Sequence, residues 1–167
     1  MCRYHLSCTQ RVACICSSFL RYKEYVAPEK IENVLTQSLY ISQAFVHGDS
    51  LQSSLVAVII PDEDPVRNWL SSADPSLAKA SFAQICQSEK LKETLMEEIA
   101  RTSKENGLHG FEIPKAIYVD NDLFSIENDL LTPTFKLKRQ QAREKYETQI
   151  EAMYIHLTHD EPFKDVS

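Results

Sequence analysis

Ser54-Leu55-Val56-Ala57-Val58-Ile59-Ile60-Pro61 is almost continuously apolar and β-branched, and it ends on a proline. A strand with one wet face alternates apolar and polar residues. A run with no polar position reads instead as a strand covered on both faces. Pro61 has no N–H to give to a ladder, so the strand stops there.

Working outward, Gly48-Asp49-Ser50 is a turn signal. Before it, Ile41, Gln43 and Phe45 alternate with Ser42, Ala44 and Val46, which predicts a half-buried strand over 41–47, antiparallel to the first. Pro28-Glu29 starts a helix, because proline fits the first turn and glutamate suits the dipole. Ile31, Val34 and Leu35 line its apolar face to about Ser38. Downstream, short helices are expected around Pro65–Ser71 and Ser81–Gln87. A longer one follows from Ser88 to Asn106, with Leu91, Leu95, Met96 and Ile99 on one side and Gly107 as its stop. Glu97 and Arg101 are spaced to pair on it. Ala116–Val119 reads as a short strand and 120–129 as a polar, turn-rich loop. The order predicts an α+β domain, a small and mainly antiparallel sheet packed with several helices.

That loop leads into Leu130-Leu131-Thr132-Pro133-Thr134-Phe135-Lys136-Leu137-Lys138-Arg139. A helix is expected from about Leu137 to His156, with Ala142, Tyr146, Ile150, Met153 and Leu157 on one face. Lys136, Lys138 and Arg139 then stand where a helix dipole prefers anions, at a cost of some tenths of a kcal/mol each. Backbone N–H groups with Lys and Arg suit phosphate or carboxylate. Lys136, Lys138, Arg139, Arg143 and Lys145 face only Glu144 in this stretch, whereas the whole chain carries −6. An acidic chain excludes nucleic acid as a general partner.

Gly48, Gly107 and Gly110 are the three glycines, too few and too scattered for a Gly-rich phosphate loop. Cys2, Cys8, Cys14 and Cys16 crowd the N-terminus with His5, but in no paired C-x-x-C zinc spacing, so no metal site is expected. Cys86 reads as a buried small hydrophobe, and the pattern of cysteines implies no disulfide framework. The apolar run around Val12–Leu20 falls short of the roughly 20 residues of a membrane span. Residues 1–22 differ in composition from the rest and are expected to form a poorly ordered appendage, and 158–167 a frayed tail.

Five segments, in order, resemble the C-terminal domain of long-chain acyl-CoA synthetases, members of the adenylate-forming ligase superfamily. They are Glu24-Tyr25-Val26-Ala27-Pro28-Glu29-Lys30-Ile31-Glu32-Asn33, Phe45-Val46-His47-Gly48-Asp49-Ser50-Leu51, 108–116, Leu123-Phe124-Ser125-Ile126 and 130–139. The likeness makes residues 23–157 a lid domain. In the family, such a lid swings over a large core that binds ATP, Mg²⁺ and the acyl chain. The resemblance implies ATP-dependent activation of a long-chain fatty acid to an acyl-adenylate, then transfer to CoA. It also implies that Lys136 is the lysine reaching the carboxylate and α-phosphate, with Lys138 the alternative and Arg139 a possible anion contact. Glu24, Tyr25 and Pro28 fall in the segment after the family's hinge.

The chain departs from the family upstream. Phe19-Leu20-Arg21-Tyr22-Lys23 lacks the hinge aspartate and has Lys23 at a glycine position. The ATP-binding core has no counterpart in these residues, so the expectation is a lid that binds no cofactor and is inactive alone. The alternative is a stand-alone module docking on a synthetase core or on an adenylate or CoA phosphate. The family's usual place is the cytosolic face of endoplasmic reticulum, mitochondrial outer or peroxisomal membranes, reached through segments not present here.

Overall fold

The computed structural model describes residues 26–49, 51–52, 54–74 and 76–160. Three strands, β1 (Ile41–Gly48), β2 (Leu55–Pro61) and β3 (Ala116–Val119), form one sheet in that order. β1 pairs antiparallel with β2, and β3 joins parallel on the other side, so the α+β domain has a mixed sheet. All seven residues of β2 are buried. Leu55, Ala57 and Ile59 face one core, while Val56, Val58 and Ile60 face a second. This is the strict two-residue alternation of a strand carried through an all-apolar run.

The first core is covered by α1 (Pro28–Leu35), α2 (Glu63–Ala73), α3 (Phe82–Cys86) and α4 (Glu89–Glu105). The second lies under α5 (Arg139–Lys145) and α6 (Glu147–Asp160). Each helix of the first layer begins where its sequence offers a start. Pro28 opens α1, and the Asp62 carboxylate accepts an N–H at the head of α2. Ser81 and Gln84 close a reciprocal cap on α3, and Ser88 caps α4. These side chains satisfy N–H groups that no helical carbonyl can reach. α4 ends at Glu105 with Asn106 as its C-cap, and Gly107 takes φ 68°.

Three expectations need correction. In β1 the register shifts between Ile41 and Gln43, so Ile41 joins Ala44 and Val46 in the first core while Phe45 enters the second. A bulge moves residues before it to the other face, and simple alternation across 41–47 fails for that reason. Arg101 does not pair with Glu97. It reaches Glu98 at 2.6 Å and Glu105 at 2.7 Å. Glu98 is itself held by the Ser38 hydroxyl at 2.9 Å, so its carboxylate is already fixed on that side. The last helix begins at Arg139 and is interrupted at Tyr146, whose hydroxyl donates to Asp120 at 2.8 Å. Ala142, Tyr146, Ile150 and Met153 still pack inward, as their spacing predicts.

Cys86 is 5% exposed, and burial pushes its thiol up to about 11, with Asp120 and Glu63 adding to the shift. The other four cysteines, the expected appendage over 1–22 and most of the expected tail lie outside the described residues. α6 runs through Asp160.

Candidate functional site

The segment carrying the cations is fixed at both ends by apolar anchors. Phe124, 4% exposed, and Leu130, 1% exposed, both enter the second core. Gln43 of β1 grips the Phe124 backbone from both sides, accepting its N–H at 2.7 Å and donating to its carbonyl at 3.2 Å. Between the anchors, the Ser125 N–H donates to Asn128 Oδ1 at 2.9 Å, and the Asn128 N–H to Ser125 Oγ at 3.2 Å. Ser and Asn side chains close tight turns in this way.

Beyond Leu130 the backbone doubles back on itself. Leu131 and Leu137 form an isolated antiparallel bridge. The Thr132 N–H donates to the Lys136 carbonyl, the Phe135 N–H to the Thr132 carbonyl, and the Lys138 N–H to the Leu130 carbonyl, each at 2.8 Å. Thr132 Oγ1 also accepts the Lys136 N–H at 3.1 Å. Asp129 and Phe135 adopt φ of 61° and 57°, left-handed values that side-chain-bearing residues rarely take. The result is a short closed loop with Lys136 at its returning arm.

The three cations have different surroundings. Lys138 stands at the N-cap position of α5 without a side-chain cap bond, and its ammonium is paired with the Asp129 carboxylate. Arg139 donates to Glu32 of α1 at 2.6 Å and to the Val46 carbonyl at 3.3 Å, with its guanidinium 5.9 Å from the centre of the Phe45 ring. Glu32 in turn accepts the Val46 N–H at 2.8 Å. Burial raises the Glu32 carboxyl above its ordinary range, against the Val46 N–H and Arg139, which lower it. Arg139 therefore ties α5 to α1 and β1, and it is already engaged by a carboxylate. Lys136 is exposed, and its ammonium has no partner among the described residues. Of the three, it alone has no carboxylate partner among the described residues.

A cleft of about 670 Å³ opens beside this region, lined by Pro28, His47, Gly48, Arg139, Arg143 and Glu147 among others. Burial, helped by Arg143 and Arg139 and opposed by Asp49, holds the His47 imidazole below its usual range. Glu144 and Glu147 offset the guanidiniums, so the cleft is no concentrated anion site. Of the expected post-hinge residues, Pro28 begins α1 and lines this cleft, while Glu24 and Tyr25 lie outside the described residues. Among the described residues, no group of three or more His, Cys, Asp or Glu side chains could hold a metal ion. Nor is any helix there long and apolar enough to cross a membrane.

Sequence reasoning named the cations and missed their partners. Glu32 is 107 residues from Arg139, a separation at which no local pattern carries a signal. Asp129 is nine residues from Lys138, off any helical or strand period, so it too was invisible.

No protein-family model matches the chain. Long-chain-fatty-acid–CoA ligase 6 of Homo sapiens is 44% identical over 131 residues, which is 78% of this chain and 18% of that protein. The peroxisomal long chain acyl-CoA synthetase 7 of Arabidopsis thaliana is 40% identical over 139 residues, 83% of this chain and 20% of the relative. Among solved structures, the A-PCP didomain of a carboxylic acid reductase from Segniliparus rugosus, in complex with AMP, superposes with a TM-score of 0.66. It is 27% identical and covers 81% of this chain and 17% of that one. The adenylation domain of the Mycobacterium chelonae carboxylate reductase gives 0.64 at 28% identity, covering 78% of this chain and 18% of that one. The chain spans about a fifth of the length of the curated relatives it matches. Over about four-fifths of its length the chain is homologous to a portion of the long-chain fatty acid–CoA ligases.

Proposed function

We propose that this chain is the lid portion of a long-chain fatty acid–CoA ligase, active only when joined to an ATP-binding core. In the first half-reaction a fatty carboxylate oxygen attacks the α-phosphorus of ATP, pyrophosphate leaves, and an acyl-adenylate forms. The CoA thiol then attacks the acyl carbon and AMP leaves. ATP and its Mg²⁺ are held by the core in this reading. The lid brings Lys136, whose ammonium holds the carboxylate in line and offsets charge gathering on the phosphoryl oxygens. A compact cation on a flexible stem suits delivery to a phosphate held elsewhere.

One observation carries the reading. In a stretch homologous to these ligases, Lys138 and Arg139 are engaged by Asp129 and Glu32, and Lys136 is exposed without a partner among the described residues. Adenylation is tested in a chimaera in which the matching stretch of human long-chain-fatty-acid–CoA ligase 6 is replaced by that of this chain. Palmitate-dependent ATP–pyrophosphate exchange is expected from the chimaera and not from this chain alone. Lys136→Ala should lower exchange about 10²- to 10³-fold, the scale for losing a group that stabilises transition-state charge. CoA transfer from preformed palmitoyl-adenylate should fall far less. Exchange that survives Lys136→Ala, or a chimaera with no exchange, would sink the proposal.

A further inference from the structure

We infer that Asp129 and Lys138 form a latch that aims Lys136, so the two lysines of this loop do separate work and Lys138 is a positioning residue. The inference rests on the proposed adenylation role of Lys136 and adds residues that role does not name.

The Lys138 ammonium is paired with the Asp129 carboxylate, which closes the loop at its base. Its own N–H donates to Leu130 at 2.8 Å, one residue beyond Asp129. Side chain and backbone of Lys138 thus clamp the same point on the outgoing arm. Further up, Thr132 holds the backbone of Lys136 on the returning arm at 2.8 and 3.1 Å. Asp129 and Phe135, both with positive φ, bracket the stretch between. Left-handed non-glycine residues persist only where surrounding bonds over-determine them. Lys138 is a poor candidate for an incoming phosphate, because its side chain is only 29% exposed and an anion would have to displace Asp129. Lys136, two residues on the tip side, is exposed. A flexible ammonium is effective only if its backbone is held, since misplacement of about 1 Å can cost 10²-fold in rate.

Asp129→Asn is the informative substitution, because asparagine tolerates a left-handed backbone while losing the charge that holds Lys138. The first readout uses the full chain alone, labelled briefly with an amine-reactive ester and read residue by residue by mass spectrometry. Lys138 should acylate about threefold slower than Lys136, the scale of a partly exposed ion pair. Asp129→Asn should bring the two rates together. Equal rates already in the wild-type chain would overturn the latch whatever the chimaera does.

The second readout uses the chimaera. Lys138→Met and Asp129→Asn should each lower kcat for exchange about tenfold with the KM for ATP unchanged. Lys138→Arg, which can still reach Asp129, should stay within about twofold of wild type. A raised KM for ATP with unchanged kcat in Lys138→Met would make Lys138 a phosphate ligand and overturn the inference. A chimaera without exchange refutes the ligase reading, and the labelling rates still decide the latch.

Discussion

Glu112 is only 6% exposed and yet keeps its charge, because the His109 N–H donates to it at 2.9 Å and the Lys30 ammonium at 3.0 Å. The His109 N–H first, and Lys30 second, hold its carboxyl below the ordinary 4.5. A depressed carboxyl contributes stability above its unfolded value and loses it as pH falls through the folded one. Glu112→Gln should therefore cost about 1 kcal/mol at pH 7. The deficit should shrink as pH falls below about 4.5 and vanish in acid, read by denaturant melts at several pH values. A deficit that stays constant from pH 7 to pH 3 would show that charge plays no part. The same principle separates the cations of the candidate site. What each can do depends on which carboxylate, if any, already holds it, and those carboxylates come from distant or aperiodic positions.

At the scale of elements, the loop between Leu130 and α5 carries a conformation its residue types do not favour. Phe135 is 76% exposed at φ 57°, so its ring is given little packing in return for a strained backbone. A left-handed L-residue costs roughly 1–2 kcal/mol, while glycine's added unfolded freedom costs about 0.5–1. Phe135→Gly should accordingly leave the melting temperature unchanged or raise it slightly. Phe135→Val, β-branched at the same φ, should destabilise by about 1 kcal/mol or more. A marked loss in the glycine variant, read by calorimetry, would show that the ring itself holds the loop. Caps and turns were the legible part of the elements. Pro28, Ser81, Ser88 and Gly107 each mark a boundary because their chemistry is local. The bulge after Ile41 and the interruption at Tyr146 were not legible. Each involves a partner remote in sequence, Pro61 paired with Ile41 across the sheet and Asp120 bonded to the Tyr146 hydroxyl.

Across the whole molecule, two cores share one sheet, and residues 55–60 of β2 form their common wall. Damage to either side should therefore be felt by both. Leu95→Ala in the first core and Ile150→Ala in the second remove side chains 1% and 6% exposed. Each should cost about 2–5 kcal/mol. In both variants the fluorescence of Trp69, on the first core, and far-ultraviolet dichroism should still report one coincident transition. Two separated transitions would show that the faces fold independently.

The α+β class, the doubly buried central strand and the inward face of the last helix follow from residue order alone. They rest on hydrophobic periodicity and local backbone chemistry, which act over a few residues. The five segments that resemble acyl-CoA synthetases were likewise readable in one dimension, and they pointed to Lys136 and Lys138 together. Their different surroundings appear only in the folded chain. Burial and charge pairing depend on distance in space, and folding brings Glu32 to Arg139 and Asp129 to Lys138 while leaving Lys136 exposed and unpaired among the described residues.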